Sequence, residues 1–429
     1  MKMTKINWAG FAKKNPKERL SQIKPLLSKE SHHILENHVL LKQEIASQMV
    51  ENTLGTFALP FSVVPEIEVN HKDYTVPFVT EEPSVIAACS FASKIIKRSG
   101  GFKAIVHNRQ MIGQIALYEI KDTHSAIKAI EKHKKELLAI ANSAHPSIVK
   151  RGGGATDIKT NLIEDETPLL VVHVLIDTKE AMGANIVNTM TEALKPYLEA
   201  LTKGKSLMAI LSNYATEALV TANCAINYRF LNRDKIKSKE LAKKIVLASN
   251  FAKKDPYRAS THNKGIFNGI DAVCLATGND WRAIEAGAHA YASRNGHYEG
   301  LTTWRLDEAN EQLLGEITLP LPLATKGGSI GLNPSVLVAF DVLGNPDAKT
   351  LASIVASVGL AQNFAALRAL VTEGIQEGHM KLHARSLALL AGSLPDEVAF
   401  VVDLLLKEKH MNLSTAEKIL EKYRNNILE

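Results

Sequence analysis

The segment from residue 169 to residue 201 reads LLVVHVLIDTKEAMGANIVNTMTEALKPYLEAL and decides the fold class. Its first eight residues, 169–176, are almost continuously apolar, which predicts a strand that is buried on both faces. From residue 184 to residue 201 apolar side chains recur at helical spacing, which predicts a helix. A buried strand followed by a helix is typical of layered structures that mix α and β elements.

The same alternation continues on both sides of this segment. Residues 110–120, QMIGQIALYEI, predict a strand, residues 125–140 predict a helix, and residues 207–211 predict another strand. We therefore expect a compact α/β subdomain over residues 108–216. No GxGxxG motif occurs anywhere in the chain, which argues against a standard Rossmann site.

The parts of the chain that flank this subdomain have a different character. Residues 1–107 predict helices interrupted by short extended pieces, and residues 217–374 predict helices mixed with glycine-rich turns. Residues 375–429 predict three helices, the last of them with Ser414 as its N-cap. Since 429 residues exceed the usual size of one hydrophobic core, we expect at least two domains and an appendage.

The composition is that of an ordinary globular protein, with 45% hydrophobic and 22% charged residues. The net charge of +6 is too small and too dispersed for a nucleic-acid-binding protein. The first thirty residues contain no apolar stretch of signal-peptide length, and the apolar run at 169–176 is too short to span a bilayer. We therefore expect a cytoplasmic protein that binds neither nucleic acid nor membrane.

The three cysteines, Cys89, Cys224 and Cys274, lie far apart and form no CxxC pair, so neither a disulfide framework nor a zinc ribbon is predicted. Cys89 raises one alternative function, an acyl transferase with a cysteine nucleophile. However, Cys89 lies inside a predicted helix on its apolar face, where a small buried hydrophobic side chain is expected. The acyl transferase hypothesis predicts that Cys89→Ala abolishes activity.

Two acidic residues stand at predicted helix starts. In TEEPSVIAACS, Glu82 precedes Pro83, and unpaired N–H groups at a helix start stabilise a carboxylate. In ATGNDWRAIEAG, Asp280 precedes another helix, which predicts an N-cap. Capping therefore explains both residues, whereas a catalytic role for either requires a cation nearby.

The segment DPYRASTHNKGIFNGID concentrates polar side chains within eleven positions, and we interpret it as a polar loop. Lys264, beside a glycine, is typical of a solvated surface lysine. The neighbouring amide groups also suit the orientation of a substrate carboxylate or carbonyl group. The residues alone leave these two interpretations evenly balanced. The polar side chains are Arg258, His262, Asn263, Lys264 and Asn268.

His379 and His383, in EGHMKLHARS, lie four residues apart on one face of a predicted helix. The sequence offers no third ligand and no HExxH motif, so we expect no metal site. A proton-transfer role for His379 near neutral pH stays open.

Six segments, taken in their order along the chain, resemble the class II 3-hydroxy-3-methylglutaryl-CoA reductases. They are the four polar segments above, together with ENTLGTFALP at 51–60 and AMGANIVNTM at 181–190. The resemblance implies an α+β fold in which a large mixed α/β substrate domain carries two further parts. These are a small non-Rossmann dinucleotide-binding domain, residues 108–216, and a C-terminal helical flap, residues 375–429. The substrate domain itself comprises residues 1–107 and 217–374. A homodimer with a shared active site, or a higher oligomer, is also implied.

The resemblance further implies the four-electron reduction of 3-hydroxy-3-methylglutaryl-CoA to mevalonate and coenzyme A, a step of isoprenoid biosynthesis. NADPH or NADH supplies two hydrides, and no metal takes part. The matching catalytic residues are Glu82, Lys264, Asp280 and His379. Lys264 would polarise the thioester carbonyl, His379 would protonate the CoA thiolate, and Glu82 would act as an acid on the aldehyde. Removing the residues after Glu377 should then abolish reduction and leave dimerisation intact.

The contacts implied by the resemblance fall into two groups. The substrate contacts are Ser84, Arg258, Asn268, Asn213 and Lys13, and the Arg258 fork suits the substrate carboxylate. The cofactor contacts are His145, Asp177, Glu180, Met182, Gly183, Ala184 and Asn185, with Glu180 a departure from the usual DAMGAN motif.

His145 stands where relatives that prefer NAD carry an acidic residue. A carboxylate there would repel a 2′-phosphate, so its replacement by histidine predicts a preference for NADPH. The main alternative is a non-catalytic homologue that binds CoA or a nucleotide. Such a protein would have lost one of the catalytic residues, and all four are present.

Overall fold

The computed structural model describes residues 6–328, 330–372 and 375–425, without the side chains of residues 375–382. The strands of this part are β1 (Phe61–Val69), β2 (Lys72–Val79), β3 (Phe102–Val106), β4 (Gln110–Tyr118), β5 (Gly154–Ile163), β6 (Leu169–Asp177), β7 (Lys205–Ser212), β8 (Leu219–Asn227), β9 (Thr302–Asp307) and β10 (Gln312–Pro320). The helices are α1 (Pro16–Ile23), α2 (Lys29–Glu36), α3 (Gln43–Met49), α4 (Val85–Arg98), α5 (Thr123–Lys132), α6 (Lys134–Ala144), α7 (Pro146–Lys150), α8 (Ala184–Thr202), α9 (Lys235–Lys254), α10 (Pro256–Ala276), α11 (Trp281–Ala292), α12 (Pro334–Leu343), α13 (Ala348–Leu370), α14 (Ile375–Leu390), α15 (Val398–Leu405) and α16 (Leu413–Arg424).

The strands form two sheets. The larger sheet has the order β2-β1-β3-β8-β10-β9, and the smaller sheet has the order β5-β6-β4-β7. All pairs in the smaller sheet are antiparallel, whereas the larger sheet includes the parallel pair β1 and β3. The chain passes from the larger to the smaller sheet between β3 and β4 and returns between β7 and β8. The smaller sheet is therefore an insertion into the chain that builds the larger one.

The smaller sheet contains the elements that the sequence predicted between residues 108 and 216. The predicted strands at 110–120, 169–176 and 207–211 are β4, β6 and β7, and the predicted helix at 184–201 is α8. The sheet and α8 share a core of their own that includes Ile115, Val172 and Leu194. One prediction was wrong: the expected helix at 125–140 is broken into α5 and α6. The break lies at His133, whose backbone leaves the helical region.

The core of the larger part is built around α13. This helix is long and apolar enough to cross a membrane by length and composition alone, but 89% of the relevant window is buried inside the protein. Burial of that extent is typical of a central core helix. It packs against α10 and α4 and against strands of the larger sheet. Helices α4 and α10, which follow or carry two of the polar segments, therefore both pack against α13.

The segment DPYRASTHNKGIFNGID, which we interpreted as a loop, forms most of α10 instead. Asp255 caps this helix by accepting the N–H of Arg258 at 2.6 Å, and Pro256 occupies its first turn. Its polar residues are compatible with a helix because they divide between a buried face and an exposed face. Helix α11 runs back beside it, with the rings of Phe267 and His289 5.1 Å apart.

The chain ends in three helices, as predicted. Helices α14, α15 and α16 enclose a separate apolar cluster that includes Ala388, Val401 and Leu420. The predicted N-cap of the last helix was wrong, because Asn412 rather than Ser414 accepts the first free N–H, that of Thr415. This apolar cluster stabilises the packing of the three helices against one another, separately from the core around α13.

Candidate active site

Glu82, Lys264 and Asn268 form one hydrogen-bonded cluster. Lys264 and Asn268 lie four residues apart on α10 and therefore project from the same face of that helix. The Lys264 ammonium group donates to the Glu82 carboxylate, and Asn268 Nδ2 donates to Glu82 Oε1 at 3.2 Å. The Lys264 side chain is 60% exposed and that of Glu82 33% exposed, so the cluster is open to an incoming ligand.

The turn before α4 fixes Glu82. The backbone N–H of Glu82 donates to Thr80 Oγ1 at 3.1 Å. Ser84, the N-cap of α4, adopts a left-handed conformation with φ of 74° and makes no side-chain capping bond. Such a conformation is strained for serine and leaves its hydroxyl group free of a capping role. The expected capping by Glu82 is absent, since the carboxylate turns to Lys264.

Asp280 lies far from this cluster in the single chain. It caps α11 by accepting the N–H of Ala283 at 3.1 Å, and its carboxylate lies 3.6 Å from the Arg282 guanidinium. Lys264 is twelve residues from the end of α10 at Ala276, about 18 Å along the axis at 1.5 Å per residue, and Asp280 lies beyond that end. Within one chain these two groups therefore cannot act on the same atom.

Two polar residues of the same segment serve the core. His262 Nε2 lies 2.7 Å from Thr302 Oγ1, and Asn263 Nδ2 donates to the carbonyl of Glu299 at 3.0 Å. Burial lowers the pKa of His262 to about 3, with help from the charges of Arg258 and Lys253. His262 is therefore neutral at physiological pH and holds α10 against β9.

The residues expected to contact substrate are only partly assembled. Arg258 is half-buried, and burial lowers its pKa without an offset from any carboxylate of the described residues. Asn213 is held against α11, because a Cβ at Gly287 would lie 2.4 Å from the Asn213 carbonyl oxygen. Lys13 is exposed at the end of a short 3-10 turn, Phe11–Lys13.

The residues expected to contact the cofactor lie along the loop between β6 and α8, residues 178–183, which we call the β6–α8 loop. Asp177 accepts the N–H of Lys179 at 2.9 Å and also pairs with its ammonium group. Gly183 has φ of 94°, and a Cβ there would lie 2.3 Å from Thr178 Cγ2, so glycine is required. Ala184 begins α8, and the loop exposes that helix start.

The start of α8 fits an anionic group. The helix has no side-chain capping bond and no acidic residue in its first turn. Its free N–H groups and dipole therefore face the β6–α8 loop unneutralised, an arrangement that favours phosphate. Met182 is partly buried against the core of the smaller sheet, whereas Asn185 is exposed.

A glycine-rich turn, residues 152–154, packs directly against this loop. A Cβ at Gly153 would lie 2.4 Å from the Asp177 carbonyl oxygen. His145, at the end of α6, lies with its Nδ1 3.2 Å from Ser147 Oγ. Gly327 and Gly328 belong to another glycine-rich turn, which follows β10. A Cβ at Gly327 would lie 3.9 Å from Ala181 Cβ in the β6–α8 loop, and a Cβ at Gly328 would have no atom of the described residues within 4 Å.

Glu180 departs from the expected cofactor contact. Its carboxylate Oε2 accepts the hydroxyl of Thr325 at 2.6 Å and the N–H of Ala348 at 2.9 Å. Its backbone carbonyl accepts the N–H groups of Thr325 and Lys326 at 2.9 and 3.2 Å. Glu180 thus bonds to the larger part of the protein.

Cys89 is fully buried in α4, and burial raises the pKa of its thiol to about 12. A thiol of that pKa supplies almost no thiolate at neutral pH, which argues against the acyl transferase hypothesis. His379 lies in α14, but its side chain is outside the described residues. His383 is exposed on the same helix, and within the described ranges no three metal-ligating side chains cluster.

Sequence reasoning missed three features near these sites. Arg109 is almost fully buried between the two sheets, and its only sequence signal is an isolated arginine between two strands. Asp271 on α10 hydrogen-bonds Glu285 on α11, and burial, together with the charge of Glu285, raises the pKa of Asp271 to about 8. Gly287 lies inside α11, and a single glycine within a helical pattern does not by itself indicate a close contact.

Comparisons with known proteins identify the family of this chain. The family model described as hydroxymethylglutaryl-coenzyme A reductase matches residues 15–384. The chain belongs to this family. A 3-hydroxy-3-methylglutaryl-coenzyme A reductase of Archaeoglobus fulgidus is 41% identical over 97% of this chain and 94% of its own length. A probable reductase of Borreliella burgdorferi is 34% identical over 96% of this chain and 95% of its own length.

Solved structures of the family are also similar. A 3-hydroxy-3-methylglutaryl-coenzyme A reductase from Streptococcus pneumoniae superposes with a TM-score of 0.85 at 60% identity, covering 97% of this chain and all of its own. A class II reductase of that organism, bound to NADPH in open conformations, gives 0.85 at 61% identity over 86% of this chain and all of its own. The resemblance inferred from the sequence is confirmed. The family's activity, NAD(P)H-dependent reduction of hydroxymethylglutaryl-CoA, is favoured over a non-catalytic homologue.

Proposed function

We propose that this chain reduces 3-hydroxy-3-methylglutaryl-CoA to mevalonate at a site shared by two copies of the chain. The observation that carries the proposal is the Glu82, Lys264 and Asn268 cluster, in which an exposed cation donates to a carboxylate that also accepts a hydrogen bond from an amide. An ammonium group held in this way suits a carbonyl oxygen that becomes negatively charged. Membership of the reductase family supplies the identity of the substrate.

The first step uses Lys264 and His379. A nicotinamide cofactor held at the β6–α8 loop would supply the hydride for the thioester carbonyl carbon, and a second cofactor molecule would supply the hydride for the aldehyde. Lys264 stabilises the oxyanion of the resulting hemithioacetal. The C–S bond then breaks, the carbonyl re-forms as an aldehyde, and His379 as imidazolium gives its proton to the departing CoA thiolate.

The second step uses Glu82. As the aldehyde accepts its hydride, Lys264 again stabilises the oxygen, and a proton from Glu82 converts the alkoxide to the alcohol. Asn268 keeps the Glu82 carboxylate oriented toward the reacting oxygen through its 3.2 Å hydrogen bond. Asp280 completes the unit and competes for the lysine charge. Arg258 and Ser84 bind the hydroxymethylglutaryl end of the substrate, with the Arg258 fork on its carboxylate.

The second copy of the chain is needed for Asp280. Because Asp280 lies beyond the far end of α10 from Lys264, we assign the Asp280 of each site to the partner chain. The exposed apolar side chains of Leu54 and Phe57, 100% and 90% exposed, supply apolar surface for such an interface. A homodimer is therefore the smallest active assembly, and the flap from residue 375 onward closes over each site to bring His379 to the sulfur.

The cofactor is assigned to the smaller sheet, as a domain of residues 108–216. The exposed start of α8, the β6–α8 loop and the glycine turn at 152–154 together offer free N–H groups to a dinucleotide phosphate. Asp177, Met182, Gly183, Ala184 and Asn185 line this approach. His145 offers a hydrogen-bonding ring and no carboxylate, which favours NADPH over NADH. The three unpaired cysteines suit a reducing cytoplasm.

The test is the absorbance at 340 nm with 3-hydroxy-3-methylglutaryl-CoA and either NADPH or NADH. We expect substrate-dependent oxidation, faster with NADPH, that falls by at least about a thousandfold in Lys264→Ala. Lys254→Ala, an exposed lysine at the end of α9, is the matched control and should keep full activity. No oxidation by folded wild-type protein with either cofactor would support the non-catalytic homologue instead.

A further inference from the structure

Arg109 lies in the short connection between β3 and β4, where the chain crosses from the larger to the smaller sheet. Its side chain is 9% exposed. Nε donates to the Lys179 carbonyl at 2.6 Å, and an Nη donates to the carbonyls of Ala181 at 3.1 Å and Leu323 at 2.6 Å. Burial lowers the pKa of Arg109, and the carboxylate of Glu180 most strongly opposes that shift. A buried cation is thus satisfied by main-chain oxygens.

The three acceptors belong to both parts of the protein. Lys179 and Ala181 are in the β6–α8 loop, whereas Leu323 follows β10 of the larger sheet. Glu180, between the two loop acceptors, reaches the larger part through Thr325 and the first N–H of α13. The loop is therefore fixed from one side by Arg109 and from the other by Glu180.

This loop is restrained both from within and from outside. Lys179 has φ of 53°, a left-handed conformation that costs free energy for a residue with a side chain. The carbonyls of Lys179 and Ala181 lie outside the strand pairing of β6. The Ala181 carbonyl accepts the Thr178 hydroxyl at 2.7 Å as well as the Arg109 guanidinium, whereas the Lys179 carbonyl accepts the Arg109 side chain. A planar guanidinium serves several acceptors at once, which a lysine ammonium on a flexible chain does not reproduce.

We infer that Arg109 and Glu180 are positioning residues that hold the β6–α8 loop, and with it the start of α8, in the conformation that receives the nicotinamide dinucleotide. The inference rests on the proposed function, because it takes this loop as part of the cofactor site. It also changes the role expected for Glu180, from a cofactor contact to an anchor on the larger part. Cofactor binding is then coupled to the junction between the sheets.

The experiment measures the Kd of NADPH by fluorescence titration and the KM of both substrates. Arg109→Ala should raise the Kd and KM of NADPH by about tenfold or more, while the KM of hydroxymethylglutaryl-CoA stays within about twofold. Arg109→Lys should not restore binding, because the fork geometry is lost although the charge remains. Arg305→Ala, an exposed arginine on β9, is the matched control and should bind NADPH normally. Normal NADPH binding by folded Arg109→Ala would overturn the inference.

One further variant separates the possible failures. Asn185→Ala directly changes a proposed cofactor contact in the first turn of α8, next to the loop. If Asn185→Ala weakens NADPH binding and Arg109→Ala does not, the positioning role alone is wrong. If neither variant changes the Kd, the cofactor does not bind at this loop, and the proposed cofactor site fails with the inference.

A milder change covers the case in which Arg109→Ala does not fold. Thr325→Val removes the hydroxyl that donates to Glu180 and preserves the side-chain shape. We expect faster hydrogen exchange of the amides of residues 178–184 and weaker NADPH binding. Unchanged exchange and unchanged Kd in this variant would overturn the anchoring role of Glu180.

Discussion

At the scale of single residues, the site places carboxyl groups in two different environments. Glu82 faces Lys264 and Asn268 at an open surface, whereas Asp271, further along the same helix, is held against Glu285 in a largely buried setting. Asp271 Oδ1 is buried without a hydrogen-bond partner, and burial, together with the nearby charge of Glu285, raises the pKa of Asp271, which favours its protonated form. The pair joins α10, which carries Lys264, to α11, whose N-cap is Asp280.

This pair predicts a loss of stability at alkaline pH. The pKa of Asp271 is raised from 3.8 to about 8 in the folded chain, so its proton stabilises the fold fully below pH 3.8. That contribution is lost progressively as the pH rises to about 8, by at most about 1.4 kcal/mol per pH unit for one proton. Asp271→Asn keeps a donor for Glu285 at every pH. Its Tm should therefore fall less than that of the wild type between pH 6 and pH 9.

Thermal melts at several pH values check this prediction. Asp396→Asn, an exposed carboxylate in the turn between α14 and α15, is the matched control and should follow the wild type. An Asp271→Asn variant with the same pH dependence as the wild type would show that the pair carries no shared proton.

At the scale of elements, α11 is shaped to admit a neighbouring segment. Gly287 leaves room for the Asn213 carbonyl, which lies at the point where the chain returns from β7 to β8. Gly287→Ala would improve helix propensity, yet its Cβ would meet a backbone atom at 2.4 Å. We expect a net destabilisation of about 1–3 kcal/mol and reduced kcat, because the segment carrying Asn213 must move.

Melts and steady-state kinetics of Gly287→Ala test this prediction. The matched control is Ala290→Ser, which adds one heavy atom to the exposed face of the same helix and should change neither quantity appreciably. Unchanged stability and activity in Gly287→Ala would mean that the close contact between Gly287 and the Asn213 carbonyl matters for neither folding nor catalysis.

Elements with regular apolar periodicity could be predicted from the sequence, whereas a helix with a polar buried face could not. Strands β4 and β6 and helix α8 were predicted because their apolar periodicity is regular. Helix α10 was missed because His262 and Asn263 make its buried face polar, and only their bonds to β9 and its neighbourhood explain that face. Arg109 gave no pattern, since its three acceptors come from segments 70 or more residues away. The cluster at Glu82 was found through family motifs, not periodicity.

At the scale of the whole molecule, the proposed catalytic residues do not come together in the single chain. Glu82 and Lys264 meet in the first half of α10, while Asp280 lies beyond the end of that helix at Ala276, which is about 18 Å along the axis from Lys264. In the proposed homodimer, each Asp280 would serve the site of the partner chain. Because a two-fold interface uses the same surfaces twice, this proposal implies two copies of one site, each built from both chains.

Shared sites predict that two inactive variants restore each other. Lys264→Ala and Asp280→Ala should each be nearly inactive alone. In a mixed dimer, one site loses both residues, whereas the other combines Lys264 and Asp280 from the two intact positions. Random mixing makes about half of the dimers mixed, so activity should return to about a quarter of the wild-type value. The measurement is NADPH oxidation after the two variants are unfolded and refolded together, with separately refolded variants as the control. Mixed dimers that form and remain inactive would place all of these residues in a site built from one chain.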